Sequence, residues 1–281
     1  MSGAPEPTIP RPPRLAGYSL RLGPNALIGG RRALRVLERN VVVYRRGWMF
    51  IVSGFFEPFF YLLSIGVGLS KLVGTLHVAG HPISYPMFAA PGLLAASAMN
   101  GAIFDSTFQM YFQLKIAKTY EAVLATPLSP ADLALGQMGW AVARGALYSG
   151  AFLCVMAGLG DVFSNWVVLC YPSAVLISFA FAGAGMAGTT YMRSWQDFDM
   201  VSLAILPMFL FSGIFYPLAV YPGWLQLVVR GTPLYQGVAL MRGLDLGVFG
   251  WPLLGHAAYL AVMGSVGLTV TSRRLAKLVL P

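Results

Sequence analysis

"FLFSGIFYPLAVYPGWLQLVVRGTPLYQGVALMRGLDLG", residues 209–247, is apolar enough to enter a bilayer and too broken to cross one. Pro217, Pro222 and Pro233 divide it, and pieces such as "WLQLVV" and "PLYQGVALM" fall short of the about 20 residues that cover roughly 30 Å of hydrocarbon. Backbone N–H and C=O groups cannot be left unpaired against lipid, so short apolar pieces punctuated by Pro and Gly fit helices that dip into one leaflet and return. An ordinary extracellular loop with surface helices is the alternative reading of the same residues.

The rest of the chain places this segment in a membrane. Hydrophobic residues make up 57% of the 281 and charged residues 10%, against roughly 25% charged in a soluble domain. A ruler of about 20 residues finds six candidate spans, near 48–70, 86–112, 135–158, 165–191, 200–219 and 251–272. Residues 1–25 carry basic residues without an apolar core or cleavage site, so they read as a disordered tail rather than a signal peptide. The expected organisation is this tail, an interfacial helix over 26–46, a transmembrane domain over 47–273 and a C-terminal tail over 274–281.

Orientation follows from Lys and Arg. With both termini in the cytoplasm, fifteen of the 19 basic residues fall in inside segments, Lys71, Arg230 and Arg242 fall outside, and Arg144 lies within a span. The net charge of +9 is therefore a topology signal that also draws the inner face to anionic lipid headgroups, and it needs no nucleic acid to explain it. Ahead of the first span, Leu34, Leu37, Val41 and Tyr44 recur at helical spacing with Arg31, Arg35 and Arg39 opposite. That pattern predicts a helix lying in the membrane surface; a plain extension of the first span is the alternative.

These features together resemble an ABC-2 type transporter permease, nearest the nodulation-factor and lipo-oligosaccharide exporter branch, which is itself similar to drug and antibiotic exporter permeases. The likeness runs from about residue 26 to 275, and "EPFFYLLSIGVGL" (57–69), "AKTYEAVLATPLSPADLALGQMGWA" (117–141) and "LPMFLFSGIFYP" (206–217) carry most of it. The fold it implies is an all-α integral membrane protein of six transmembrane helices, with an N-terminal interfacial amphipathic helix and short re-entrant helices between spans 5 and 6. It also implies a multi-pass protein of the bacterial plasma membrane that exports an amphiphilic substrate, pairs with a second copy or a paralogous permease, and works with a separate ATP-binding cassette subunit holding ATP and Mg. The residues agree on one point independently: there is no G-x-x-x-x-G-K-[ST] run to cradle phosphates, so catalytic residues and cofactors are expected on the partner and not on this chain.

Two regions then acquire expected roles. In the first cytoplasmic loop Tyr120, Val123, Leu124 and Leu128 can form an apolar face, Glu121 a polar handle, and Pro127 and Pro130 a stop, in a short helix that, with Thr126, docks on the ATP-binding subunit. A solvated connector is the plainer reading. Between spans 5 and 6, Ser212, Gly213, Phe215, Tyr216, Pro217, Trp224 and Pro233 form a candidate re-entrant gate.

Glu57, Asp105 and Arg144 are charges inside spans 1, 2 and 3. Such charges usually face the protein interior and pair with one another. Glu57 and Arg144 lie at like depth, roughly 13 Å from the cytoplasmic side at ~1.5 Å per residue, which points to a salt bridge with Asp105 as a second acceptor; an Arg144 that snorkels beside a protonated Glu57 is the alternative. Ala184 and Gly188 provide a small-xxx-small spacing for close helix packing, with a dimer contact as the alternative. Trp48, Tyr111, Trp140, Trp166, Trp195, Trp224 and Trp251 read as interfacial anchors. Cys154, Cys170, His77, His81 and His256 are too scattered for a disulfide framework or a metal site. An ion-coupled secondary transporter is the competing function, and a membrane enzyme would have only Asp197 and Asp199 to build on.

Overall fold

The computed structural model describes residues 26–45, 56, 59–78, 81–126 and 128–279. Glu57, Pro127, Trp48 and the expected tail 1–25 lie outside them. In chain order the elements are α1 (Ala26–Arg45), α2 (Phe59–Val73), the hairpin strands β1 (Thr75–Val78) and β2 (His81–Ser84), α3 (Tyr85–Ile116), α4 (Thr119–Leu124) and α5 (Pro130–Leu159). Then come α6 (Asn165–Thr189), α7 (Asp197–Phe211), α8 (Gly223–Gly231), α9 (Pro233–Asp245) and α10 (Trp251–Val279).

Among the described residues α3, α5, α6 and α10 are long and apolar enough to cross a membrane. They match the expected spans 2, 3, 4 and 6, each with altered ends. α5 begins at Pro130 because Ser129 caps it: the Ser129 hydroxyl accepts from the Asp132 N–H at 3.1 Å while the Asp132 carboxylate accepts from the Ser129 N–H at 3.2 Å. This reciprocal cap, with Pro at the first helical position, fixes a helix start. α10 runs on through the expected tail to Val279. Expected span 5 corresponds to α7, which is shorter: it has 15 residues and stops because Gly213, at φ 76°, turns the chain. Of expected span 1, residues 59–70 fall on α2, and 48–55, 57 and 58 lie outside the described residues. The antiparallel hairpin, with Thr75 opposite Ser84, was not foreseen in a stretch rich in Gly, His and Pro.

α3 is the hub. Ala89, Ala90, Ala95 and Ala98 are fully buried on it, and α5, α6 and α9 pack around it. In lipid there is no water to expel from between helices, so association depends on close van der Waals contact, which small residues permit. At the α3–α5 crossing a Cβ on Gly101 would lie 2.9 Å from the Gly145 Cα. α6 and α10 meet in the same way, but not where expected. A Cβ on Gly183 would lie 2.6 Å from the Gly264 carbonyl oxygen, and Gly267 faces the Gly183 backbone, whereas Gly188 has nothing within 4 Å. The seam is thus formed by Gly183, Gly264 and Gly267, with the Ala184 backbone beside Gly267, and Gly188 takes no part in it.

α1 packs along α5. Among its described side chains Val36 and Asn40 are buried, while Leu34 and Val41 stay exposed. Of the face expected to be apolar, Leu34 and Val41 are therefore open, Leu37 is half-buried beside α5, and the Tyr44 side chain lies outside the described residues; Val36 and Asn40 hold the helix to the protein. Trp140 and Tyr111 are buried and do not anchor an interface; Trp166, Trp195, Trp224 and Trp251 are exposed.

Candidate functional site

The α3–α5 connection is built by local backbone chemistry. α3 ends in a π-turn, Phe112–Ile116, and Lys118 adopts the left-handed conformation at φ 48° before α4 begins. The sharp reversal lays α4 back against the bundle. Tyr120 is fully buried there, and Val123, Leu124 and Leu128 are half-buried against the core. Tyr120 is thus turned away from the expected docking face, because a bulky aromatic ring gains most by leaving water, whereas Val123, Leu124 and Leu128 are only partly withdrawn. The outward surface consists of Lys118, Glu121, Ala122, Ala125 and Thr126, the last donating its hydroxyl to the Val123 carbonyl at 2.6 Å. Pro130, expected to stop α4, instead starts α5.

Next to this connection lies a buried amide chain with no counterpart in the sequence reading. Asn40 Nδ2 on α1 donates to Gln137 Oε1 on α5 at 3.0 Å, and Gln137 Nε2 donates to Gln113 Oε1 in the π-turn at 2.8 Å. All three side chains are buried. The available signal was polar amides inside apolar runs, which is costly unless each finds a partner.

Deeper in the bundle Arg144 on α5 donates from Nη1 to Asp105 Oδ1 on α3 at 2.8 Å, and from Nε and Nη2 to the Tyr148 hydroxyl at 3.1 and 2.9 Å. Its guanidinium carbon stands 4.9 Å from the centroid of the Phe104 ring. Of the expected charge cluster, Asp105 and Arg144 are brought together; Glu57 lies outside the described residues.

At the other end of α7 the chain turns through Ser212 and Gly213, both buried. Arg242 on α9 holds this turn. Its Nη2 donates to the Gly213 carbonyl at 2.9 Å and to the Phe88 carbonyl at 3.2 Å, and its guanidinium lies 3.9 Å from the Phe88 ring centroid. The Tyr85 hydroxyl adds a bond to the Phe215 carbonyl at 3.1 Å. Arg242, expected in the outside segment between spans 5 and 6, is packed within the candidate gate. Tyr216 and Trp224 are exposed, Pro217 precedes a short 3-10 turn at Leu218–Val220, and Pro233 opens α9. α9 is inserted against α3, α6 and α10, with Leu234, Val238 and Met241 fully buried, whereas α8 presents Trp224, Leu227 and Val228 outward.

A cleft of about 770 Å³ opens where α3, α6 and α7 converge, lined by Ile103, Ala184, Gly188 and Met200, with Arg193 and Asp197 at its rim. The backbone N–H groups of Arg193 and Ser194 hydrogen-bond the Asp197 carboxylate and hold it below its ordinary range. Asp197 therefore caps the turn that leads into α7. His256, on α10, pairs its Nδ1 with Gln236 Oε1. Among the described residues no three His, Cys, Asp or Glu side chains gather.

The family model described as "ABC-2 type transporter" matches residues 32–246. The chain belongs to this family. Nodulation protein J of Rhizobium leguminosarum bv. trifolii is 34% identical over 218 residues, covering 76% of this chain and 81% of that one. Nodulation protein J of Rhizobium meliloti (strain 1021) is 31% identical with the same coverage. The inner membrane transport permease YadH of Escherichia coli (strain K12) is 26% identical over 195 residues, covering 68% and 75%. An ABC-2 chain is the membrane component of its transporter and not the ATPase. The matched segment runs from within α1 to just past the end of α9, and so includes the α3–α5 connection, Gly213 and Arg242.

Proposed function

We propose that the chain is the permease subunit of an ATP-driven exporter in a bacterial inner membrane, moving an amphiphilic substrate outward from the cytoplasm or inner leaflet. The observation that carries this reading is the ABC-2 match across α3, α4 and α5 in a sequence without a phosphate-cradling loop. Energy then comes from a separate ATP-binding subunit with its own ATP and Mg. The α3–α5 connection is the natural receiver, with Glu121, Ala122, Ala125 and Thr126 available in water for contact. Both termini lie in the cytoplasm on the balance of Lys and Arg. Six spans, with α2 and α7 completing the first and fifth, and α8 and α9 dipping into the outer leaflet, complete the reading. A second copy of this chain or a paralogous permease supplies the other half of the pathway. The relatives named nodulation protein J favour a lipo-oligosaccharide, lipid or drug-like amphiphile over a small ion.

The test is reconstitution in proteoliposomes with a candidate ATP-binding subunit from the same organism. The chain alone is expected to hydrolyse no ATP, and the pair to extrude an amphiphilic probe only with ATP present. Extrusion that survives ATP depletion and follows a proton gradient would replace this reading with an ion-coupled secondary transporter.

A further inference from the structure

We infer that Asn40, Gln137 and Gln113 are positioning residues that tie the surface helix α1 to the α3–α5 connection, so that the two move as one body when the connection is driven; the inference rests on the permease reading above. Gln113 and Gln137 flank the connection on its two arms, at the end of α3 and the start of α5. Their bond at 2.8 Å closes the base of the loop. The other end of Gln137 is spent on Asn40 at 3.0 Å, which carries the chain of bonds onto α1. With its acceptor and a donor both engaged, Gln137 is held in one orientation and cannot trade one neighbour for the other.

The surroundings make the tie stiff. One residue before Gln137, a Cβ on Gly136 would lie 2.5 Å from the Val36 Cβ and 2.9 Å from the Ala33 carbonyl, so α1 rests directly on the α5 backbone. Val36 and Asn40 are one helical turn apart on the same face and both buried. The Ser129–Asp132 cap and Pro130 make the exit from the connection rigid. On the other arm Gln113 sits inside a π-turn, a distortion that recurs at functional sites in helices. An apolar trio would pack at these positions equally well, but it would not fix register; directional buried amides do, as a lone buried Asn does in a coiled coil.

The test separates register from stability. Replacing all three amides, Asn40→Leu with Gln113→Leu and Gln137→Leu, strands no buried donor or acceptor and so keeps the fold; Gln137→Leu alone strands two. Nitroxide labels at Arg35→Cys on α1, Lys118→Cys at the start of the connection and Val168→Cys on α6 report pairwise distances, in a Cys154→Ser background with Cys170 buried. The chain is reconstituted with its ATP-binding subunit and compared before and after trapping with Mg-ATP and vanadate. In the otherwise unaltered chain the 118–168 distance is expected to shift while the 35–118 distance holds. In the triple-Leu variant the 35–118 distance is expected to shift as well, with transport per ATP falling about three- to tenfold. A 35–118 distance that shifts with the amides intact, or holds without them, overturns the inference. No shift at 118–168 in either chain removes the permease reading and the inference with it.

Discussion

Arg144 on α5 and Asp105 on α3 meet at 2.8 Å with both side chains almost wholly withdrawn from the surface, while Arg35 and Glu38 on α1 meet at 3.1 Å with side chains 79% and 62% exposed. The lengths are similar and the energetic consequences differ. In water an ion pair is worth about 0–1 kcal/mol; inside the bundle, removing one partner strands the other charge and costs about 3–5 kcal/mol. Asp105→Leu is therefore expected to lower the detergent-solubilised unfolding temperature strongly, and Glu38→Gln hardly at all. Adding Arg144→Met to Asp105→Leu should recover much of the loss. Equal effects of Asp105→Leu and Glu38→Gln in a thermal melt would reject this account of the pair.

Arg144 also marks what the sequence could and could not convey. That a lone Arg in an apolar run needs an acceptor follows from solvation alone, and Asp105 was one of two acceptors that depth allowed. Counting residues from a span end cannot choose between them, because the choice depends on which helix faces α5, and α3 does so through the Gly101–Gly145 contact. Span positions were legible for the same reason Arg144 was: apolar length is a local property. The burial of Tyr120 and the contacts of Arg242 were out of reach because neither is local. A left-handed Lys118 folds Tyr120 inward, and the insertion of α9 carries Arg242 to Gly213. The amides of Asn40, Gln113 and Gln137 lie 24 and 97 residues apart in their two bonds, so no window could join them.

The α6–α10 seam yields a second prediction. Gly183→Ala or Gly267→Ala inserts a methyl into the facing backbone, and overpacking of this kind costs about 1–3 kcal/mol. Gly188→Ala meets no atom within 4 Å and trades a poor helix former for a good one, a gain of about 0.5–1 kcal/mol. Thermal melts of the three variants should split in sign. A Gly188→Ala variant as damaged as Gly183→Ala would return the helix contact to the small-xxx-small pair.

The turn at Gly213 is held from two sides. Its φ of 76° is strained for a residue with a Cβ, so Gly213→Ala is expected to cost about 1–2 kcal/mol. Arg242→Gln keeps one amide donor but loses the charge-assisted bonds and the stacking on Phe88, and Arg242→Ala loses everything. If the turn governs release, ATP-dependent extrusion should fall in the order native, Arg242→Gln, Arg242→Ala, with ATP-subunit binding unchanged. Variants that lose subunit binding in step with transport would show that the effect is general unfolding.

The α4 segment offers the most direct functional test, because its inward and outward residues make opposite predictions. Tyr120 is fully buried, and Tyr120→Ala opens a cavity that costs about 3–5 kcal/mol by analogy with other large aromatic truncations. Its damage should appear in the isolated chain as a lower melting temperature. Glu121 is exposed on the opposite side, and Glu121→Arg should leave that melt within about 0.5 kcal/mol, as surface changes usually do. Its damage should appear only with the partner present, as a lower yield of ATP-binding subunit in co-purification and reduced transport. Ala125→Asp, also outward-facing, should behave like Glu121→Arg, since a charge placed in a contact is costly when buried without a partner. If Glu121→Arg and Ala125→Asp both bind the subunit normally and transport at the native rate, the outward face of α4 is not where ATP hydrolysis is received.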